Sequence, residues 1–240
     1  MTGLLVTRFK VKLPVSIVEA KFVSRLNRFV VSVESMEGEI LAHLPSSSRL
    51  TEFLVPGATV FLNRMPITLK RKTRYDMILV DHGGQLVSVD SRIPPELLIE
   101  AIDLGTIGEF AGYERIDTEV QFYESRLDLM LTGGPGRFYV ETKSVTKVQA
   151  ATAIFPDAAT YRGTKHLGTL TRAIKQGDRA AVVFVIQRPD AKRLILDEKS
   201  DPLFVQVLRE SLRCGIEALA YNCSILPTDI SIRDRVPIAF

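Results

Sequence analysis

Tryptophan is absent from the chain. That lack weakens any reading as a carbohydrate-binding protein, because sugars stack best on large aromatic faces. It also limits strong stacking of single-stranded bases, although the 12 Phe and 6 Tyr can serve. Cysteine is scarce. Cys214 and Cys223 lie near each other without metal-ligand spacing, and no Cys or His cluster accompanies them. Buried free thiols in a reducing cytoplasm are expected, with a disulfide as the alternative. Long apolar runs are missing. The longest, AAVVFVI at 180–186, falls far short of the ~20 residues that span a bilayer, so no membrane partner is expected. The N-terminus lacks the apolar core of a signal peptide. No repeat, low-complexity tract or recognisable helix-turn-helix is visible.

What is present is an ordinary globular balance, 46% hydrophobic and 25% charged, over 240 residues. That length suits one large domain or two small ones. The net charge of +3 is unevenly spread. Residues 1–82 hold 12 Lys and Arg against 7 Asp and Glu, a net of +5. Residues 83–240 hold 19 against 21, a net of −2. Within the basic part, LKRKTR gathers Lys70, Arg71, Lys72 and Arg74. Such a cluster suits a polyanion, since each neutralised phosphate releases counterions. A solvated loop between strands is the alternative.

Residues 1–82 read as about five strands: VSIVEAKF, RFVVSVES, GEILAHLP, GATVFLNR and RYDMILV. PSSSRLTEFL, between the third and fourth, reads as a short Ser-capped helix. This is the layout of an OB-type barrel. From 83 to 240 the pattern becomes mixed α/β, with a domain boundary expected near His82–Gly84. IPPELLIEAIDLG has prolines first and glycine last, as a helix does. RIDTEVQFY alternates as a strand. TYRGTKHLGTLTRAIKQG and DPLFVQVLRESLRCG read as helices around AAVVFVIQR, a strand buried on both faces.

The stretch SRLDLMLTGGPGRFYVETKSV reads as a hairpin with a GGPG loop at 133–136. Thr132 would then pair with Arg137, and Asp128 would lie opposite Glu141. Lys143 would share that face, two residues on. Opposed carboxylates with Cβ atoms ~4.5–5.5 Å apart repel. Mg²⁺ or Mn²⁺ would relieve the repulsion, because such ions take one or two carboxylates plus phosphate oxygens and waters. Lys143 could then position a water or stabilise charge on a phosphate. An exposed strand face carrying Glu-x-Lys is the bland alternative.

The hairpin, set between helices, is similar to the PD-(D/E)XK nuclease core. The whole chain resembles the sugar fermentation stimulation protein (SfsA) family. The resemblance runs through SRLNRFVVSVE, HLPSSSRL, KRKTRYDMILV, VDSRIPPELLIEAI, EVQFYESRLD, YVETKSVT, FPDAATYRGTKHL and FVIQRPDA. It implies an N-terminal OB-like domain, a nuclease-like C-terminal domain, DNA binding, and a role in expressing sugar-utilisation genes. Two departures stand out: Leu127 precedes Asp128 where the nuclease motif often has Pro, and HLPSSSR replaces the family's usual HLPNSGR.

Such cores often add a further glutamate, from Glu100 in the first helix or from Glu119 in the preceding strand. An exposed charge is the alternative for each. Arg162 and His166 share a face of the second helix. Arg162 could reach phosphate, and His166 could serve as a general acid near neutral pH or be an ordinary surface residue. Arg126 could pair with a carboxylate or a phosphate. The function expected is a Mg²⁺-dependent DNA phosphodiesterase. The alternative is a non-catalytic, nonspecific DNA-binding regulator. The sequence leaves the oligomeric state open, with a homodimer among the options.

Overall fold

The structure, a computed structural model, describes residues 11–14, 17–66, 68 and 71–240. It opens with β1 (Val11–Lys12), β2 (Ile17–Asn27), β3 (Val30–Ser35), β4 (Gly38–His43), β5 (Thr59–Arg64), β6 (Tyr75–His82) and β7 (Gln85–Ser88). Strands β2 to β6 form the expected barrel. They run in the order β4-β3-β2-β5-β6, and β4 pairs with β6 to close the ring. Closure removes exposed sheet edges. Strand β2 can serve both halves because two register shifts, at Phe22/Ser24 and Arg25/Asn27, bend it. Its interior holds Phe22, Val31, Val33, Leu62, Met77 and Val80.

Two expectations for this region change. PSSSRLTEFL forms turns instead of a helix. Leu50 sits in the left-handed region at φ 55°, which an α-helix cannot accommodate. The Arg25 guanidinium also takes the Ser48 and Arg49 carbonyls, at 3.0 and 2.7 Å. The expected boundary at 82 falls inside the β6–β7 hairpin, and β7 still belongs to the barrel sheet.

The chain continues through α1 (Pro94–Asp103), β8 (Arg115–Phe122), β9 (Ser125–Gly134), β10 (Gly136–Val145), β11 (Val148–Gln149) and β12 (Thr152–Phe155). Then come α2 (Tyr161–Lys175), β13 (Arg179–Ile186), β14 (Arg193–Leu196), α3 (Pro202–Arg213), β15 (Glu217–Ile225), β16 (Asp229–Arg235) and β17 (Ile238–Ala239). Among the described residues one mixed sheet runs β1-β16-β15-β13-β10-β9-β8. Strand β13 is parallel to β10 and β15 and buried along nearly its whole length, which is why its sequence is a continuous apolar run. Helix α1 covers one face, with Leu97 and Leu98 clustered with Leu129, Leu131, Phe138 and Val140. Helices α2 and α3 cover the other, where Leu167, Phe204 and Leu208 meet Val182, Phe184 and Ile186. Thr160 caps α2 by accepting the Gly163 N–H, and Asp201 caps α3 by accepting the Phe204 N–H. Each such cap is worth about 1 kcal/mol.

The hairpin turn is tighter than a four-residue loop. Gly134 pairs with Gly136, and a register shift follows before Phe138. A Cβ on Gly134 would collide with the Gly112 carbonyl, so this turn needs glycine for close approach. Both cysteines are free, and Cys214 is exposed where burial was expected. No described helix is long and apolar enough to cross a membrane.

Barrel and mixed domain are locked through Gln187, which is fully buried. Its Oε1 accepts the Ser88 hydroxyl at 2.7 Å, and its Nε2 donates to the Asp90 carbonyl at 3.0 Å and the Ser144 hydroxyl at 2.7 Å. Arg188 adds a second tie, reaching Glu52 at 3.3 Å and lying over the Phe53 ring.

Candidate metal centre

Strands β9 and β10 pair Phe138 with Leu131, Tyr139 with Met130 and Val140 with Leu129. One step further in this register Asp128 would face Glu141, but the ladder stops before that pair. Asp128 Oδ2 instead accepts the Thr142 backbone N–H at 2.7 Å and the Thr142 hydroxyl at 2.6 Å. The carboxylate thus takes the place of a ladder carbonyl where the strands part. The strict alternation of faces fails here too. Leu127 joins Tyr139 and Leu170 on the α2 side, whereas Leu129 and Leu131 face α1.

Glu141 points toward α2 and is only 4% exposed. Its Oε1 accepts from Lys143 Nζ at 2.5 Å. His166 Nδ1 lies 2.5 Å from the same oxygen, off the line of a good hydrogen bond. The second oxygen, Oε2, is buried with no hydrogen-bond partner. Burial pushes the Glu141 carboxyl up, but Lys143 and His166 outweigh it and hold it below the usual carboxylate range. Asp128 moves the other way. Burial, then the Glu141 charge, raise its carboxyl above the usual range against the Thr142 hydrogen bonds. The two acids are therefore unequal: one is held ionised, while the other resists ionisation.

The structure brings Asp128, Glu141, Lys143 and His166 together, and Arg162 joins them through Nε, which donates to His166 Nε2 at 3.4 Å. His166 is 4% exposed, with its ring nitrogens toward Glu141 and Arg162, so the reading as a surface side chain is corrected. Glu119 and Arg126 are not brought in. They pair with each other at 2.6 Å, both more than half exposed. Glu119 sits at φ 56°, at an interruption in the β8–β9 ladder. Glu100 lies half-buried on α1, which covers the sheet face opposite α2. Among the described residues no three or more His, Cys, Asp and Glu side chains gather as a metal-ligand group.

The basic cluster is divided as well. Arg71 is bonded to the fully buried Asp76, which also takes Arg92 Nη2 at 2.9 Å and has His43 Nδ1 at 3.3 Å. Burial would raise the Asp76 carboxyl, but Arg92 and Arg71 pull it below the usual range. Arg71 is thus paired within the barrel while its side chain stays partly exposed. Lys72 and Arg74 are exposed, and Lys70 lies outside the described residues.

A cleft of about 600 Å³ opens between the domains. Thr142, Lys143 and Ser144 form its floor. Arg28, Phe29 and the loop residues Ser47 and Ser48 line the barrel side, and residues 155–163 line the other. Sequence reasoning missed this barrel wall. The only visible sign was the serine run, and nothing in it tells which way the loop faces.

A family model described as "SfsA N-terminal OB domain" matches residues 23–89, and one described as "Sugar fermentation stimulation protein RE domain" matches residues 92–229. A sugar fermentation stimulation protein homolog of Moorella thermoacetica is 45% identical over 92% of this chain and 96% of its own length. The homolog of Desulforamulus reducens is 41% identical over 92% of each chain. The solved structure of Pyrococcus furiosus SfsA in complex with Ca²⁺ is 27% identical and covers 97% of this chain and 100% of its own, with a TM-score of 0.89. Barrel, mixed sheet and hairpin are thus found together with full-length likeness, and the chain belongs to the sugar fermentation stimulation protein (SfsA) family.

Proposed function

We propose that this protein is a divalent-metal-dependent phosphodiesterase acting on DNA, with Mg²⁺ or Mn²⁺ held by Asp128 and Glu141. The observation that carries this reading is the buried, unpartnered Oε2 of Glu141 near Asp128, beside a cleft floored by Lys143. Native interiors rarely leave a carboxylate oxygen without a partner, and a bound ion is one explanation. Asp128 accepts both Thr142 hydrogen bonds on Oδ2, so its carboxylate is held at the same end of the strand pair as Glu141. Two carboxylates completed by phosphate oxygens and water are an ordinary Mg²⁺ donor set. The Ca²⁺ complex of the Pyrococcus furiosus relative supports a cation site, since Ca²⁺ also takes oxygen ligands.

When bound, the cation would supply Lewis-acid polarisation of a phosphodiester oxygen. Lys143 keeps Glu141 ionised and offers an ammonium group to charge developing on a phosphate. His166 acts through Glu141 and is a positioning residue in this reading, with Arg162 behind it. Arg162, Lys72 and Arg74 contribute phosphate attraction. Glu119 and Arg126 satisfy one another and are assigned no role, and Glu100 is left outside the pair. Work in the cytoplasm fits this chemistry.

Incubation with duplex, single-stranded and branched DNA in Mg²⁺, Mn²⁺ or EDTA tests the proposal. Cleavage with metal, none in EDTA and none with Glu141→Gln is expected. Absence of cleavage on every substrate would reject catalysis. The second reading, a non-catalytic and nonspecific DNA-binding regulator of sugar-utilisation genes, is favoured by one observation: no third acidic side chain joins the pair among the described residues. Metal binding without cleavage would select it.

A further inference from the structure

The cleft beside the carboxylate pair has a size and a lining that point to one kind of substrate. Its volume of about 600 Å³ falls within the ~300–1,000 Å³ range of pockets that enclose a drug-sized ligand. That is room for about one or two nucleotides between its walls. Its width is held by bonds across and beside it. The Arg25 guanidinium takes four carbonyls, of Asn27, Arg28, Ser48 and Arg49, and so fixes both barrel loops on the rim. The Arg49 N–H donates to Asp157 Oδ2 at 3.1 Å, which ties that rim to the opposite wall and occupies the wall's acid. The buried Gln187 clamp beneath joins the barrel to Ser144 on the floor. A cleft braced in this way does not widen without breaking interdomain hydrogen bonds.

Two aromatic rings are exposed on its walls, in a protein without tryptophan. Phe29 on the barrel rim is 43% exposed, and Tyr161 at the first turn of α2 is 84% exposed. Phe29 keeps one ring contact, with His43 at 6.4 Å between centroids. Each exposed ring neighbours an arginine in sequence: Arg28 lies over the Phe29 ring at 5.5 Å, and Arg162 follows Tyr161. Flat faces beside cations, above a lysine floor, suit bases on a phosphate backbone.

We infer that the cleft receives a single nucleic-acid strand, with bases stacked on Phe29 and Tyr161 and phosphates directed to Arg28, Lys143 and Arg162. This rests on the proposed phosphodiesterase reading and narrows it to strands that are unpaired at the site. A duplex end must open, or a flap or gap must be present, before a phosphate reaches Lys143.

The test is binding in EDTA, where neither metal nor cleavage contributes. An end-labelled oligothymidylate and a blunt duplex of equal length are titrated with the full chain, with fluorescence anisotropy as the readout. The single strand is expected to bind at least tenfold more tightly. Tyr161→Ala and Phe29→Ala should each weaken single-strand binding about fivefold or more and leave duplex binding unchanged. Tyr161→Phe should retain wild-type affinity, because the ring remains; both positions are exposed, so folding is preserved. Equal affinity for strand and duplex, equal loss of both in the alanine variants, or no binding of the strand overturns the inference. Failure of the metal reading shows separately, as absent cation binding with the strand preference intact.

Discussion

Two buried carboxylate centres, one in each domain, have opposite designs. In the barrel, the fully buried Asp76 is surrounded by Arg71, Arg92 and His43, and its carboxyl lies below the usual range. With Asp90, which also pairs with Arg92, two arginines there match two carboxylates. In the mixed sheet, Glu141 and Asp128 share Lys143, while His166 faces only one oxygen of Glu141 and Oε2 has no partner. The first centre is closed and serves stability. The second leaves one carboxylate oxygen open, and the proposed function rests on that difference. Counting charges in sequence does not separate the two cases, because what matters is which oxygens are already taken.

The largest expected effect comes from breaking the closed centre. Asp76→Ala leaves Arg71 without its buried partner and Arg92 with Asp90 alone, and should lower stability by about 3 kcal/mol. That is the low end for a broken buried pair, because both arginines keep access to water. Urea denaturation measures it, and any stabilisation by added Mn²⁺ should survive the change. Glu141→Gln comes next. It strips Lys143 and His166 of their anion, so the metal-free protein should lose about 1–3 kcal/mol and the metal response should vanish. This departs from an expectation of two equivalent, mutually repelling acids, under which neutralising either one would stabilise.

Acid titration sharpens the contrast within the pair. Glu141, held low, contributes stability that is present above the usual carboxylate range and is lost as pH falls through its lowered value. Asp128, held high, contributes the other way: its stability is present below the usual range and is lost as pH rises through its raised value. Cation affinity should therefore fall with acidification first through Asp128, at a pH where Glu141 is still ionised. Mn²⁺ titrations between mildly acid and neutral pH would register this, and affinity unchanged over that window would contradict it. The smallest effect belongs to the exposed half of the basic cluster. Replacing Lys72 and Arg74 with Ala should weaken DNA binding equally across sequences and reduce the salt slope by about 0.9 per lost phosphate contact. An unchanged slope would remove them from the DNA surface.

The architecture was legible because each element carries its own period. The alternating strands of the barrel, the Pro-first helix at 94–103 and the apolar run of β13 are local signals, and local signals survive folding. Asp128, Glu141 and Lys143 were legible as neighbours because Phe138 pairs with Leu131 and Val140 with Leu129 in the expected register, although the ladder stops before Asp128 and Glu141. What escaped depended on distant partners. Arg71 reads as part of a cationic run, and only the assembled barrel sets it against Asp76. His166 reads as a surface residue until α2 packs over β10. Thr142, the X of the Glu-x-Lys triplet, gives no sequence sign that it will hold Asp128 by two hydrogen bonds. The cleft wall at Arg28, Phe29, Ser47 and Ser48 exists only once two domains meet.

Calorimetric titration of Mn²⁺ into wild type and Asp128→Asn, with melting curves in EDTA, tests the second centre most directly. Wild type should release or absorb heat on binding and melt at a higher temperature with metal, because a ligand that binds only the folded state stabilises it. Asp128→Asn removes a charge the folded protein resists, at nearly constant volume. It should melt in EDTA at or above the wild-type temperature while its metal binding drops. No heat and no thermal shift in wild type at millimolar Mn²⁺, with a destabilised Asp128→Asn, would mean that the hairpin acids are purely structural.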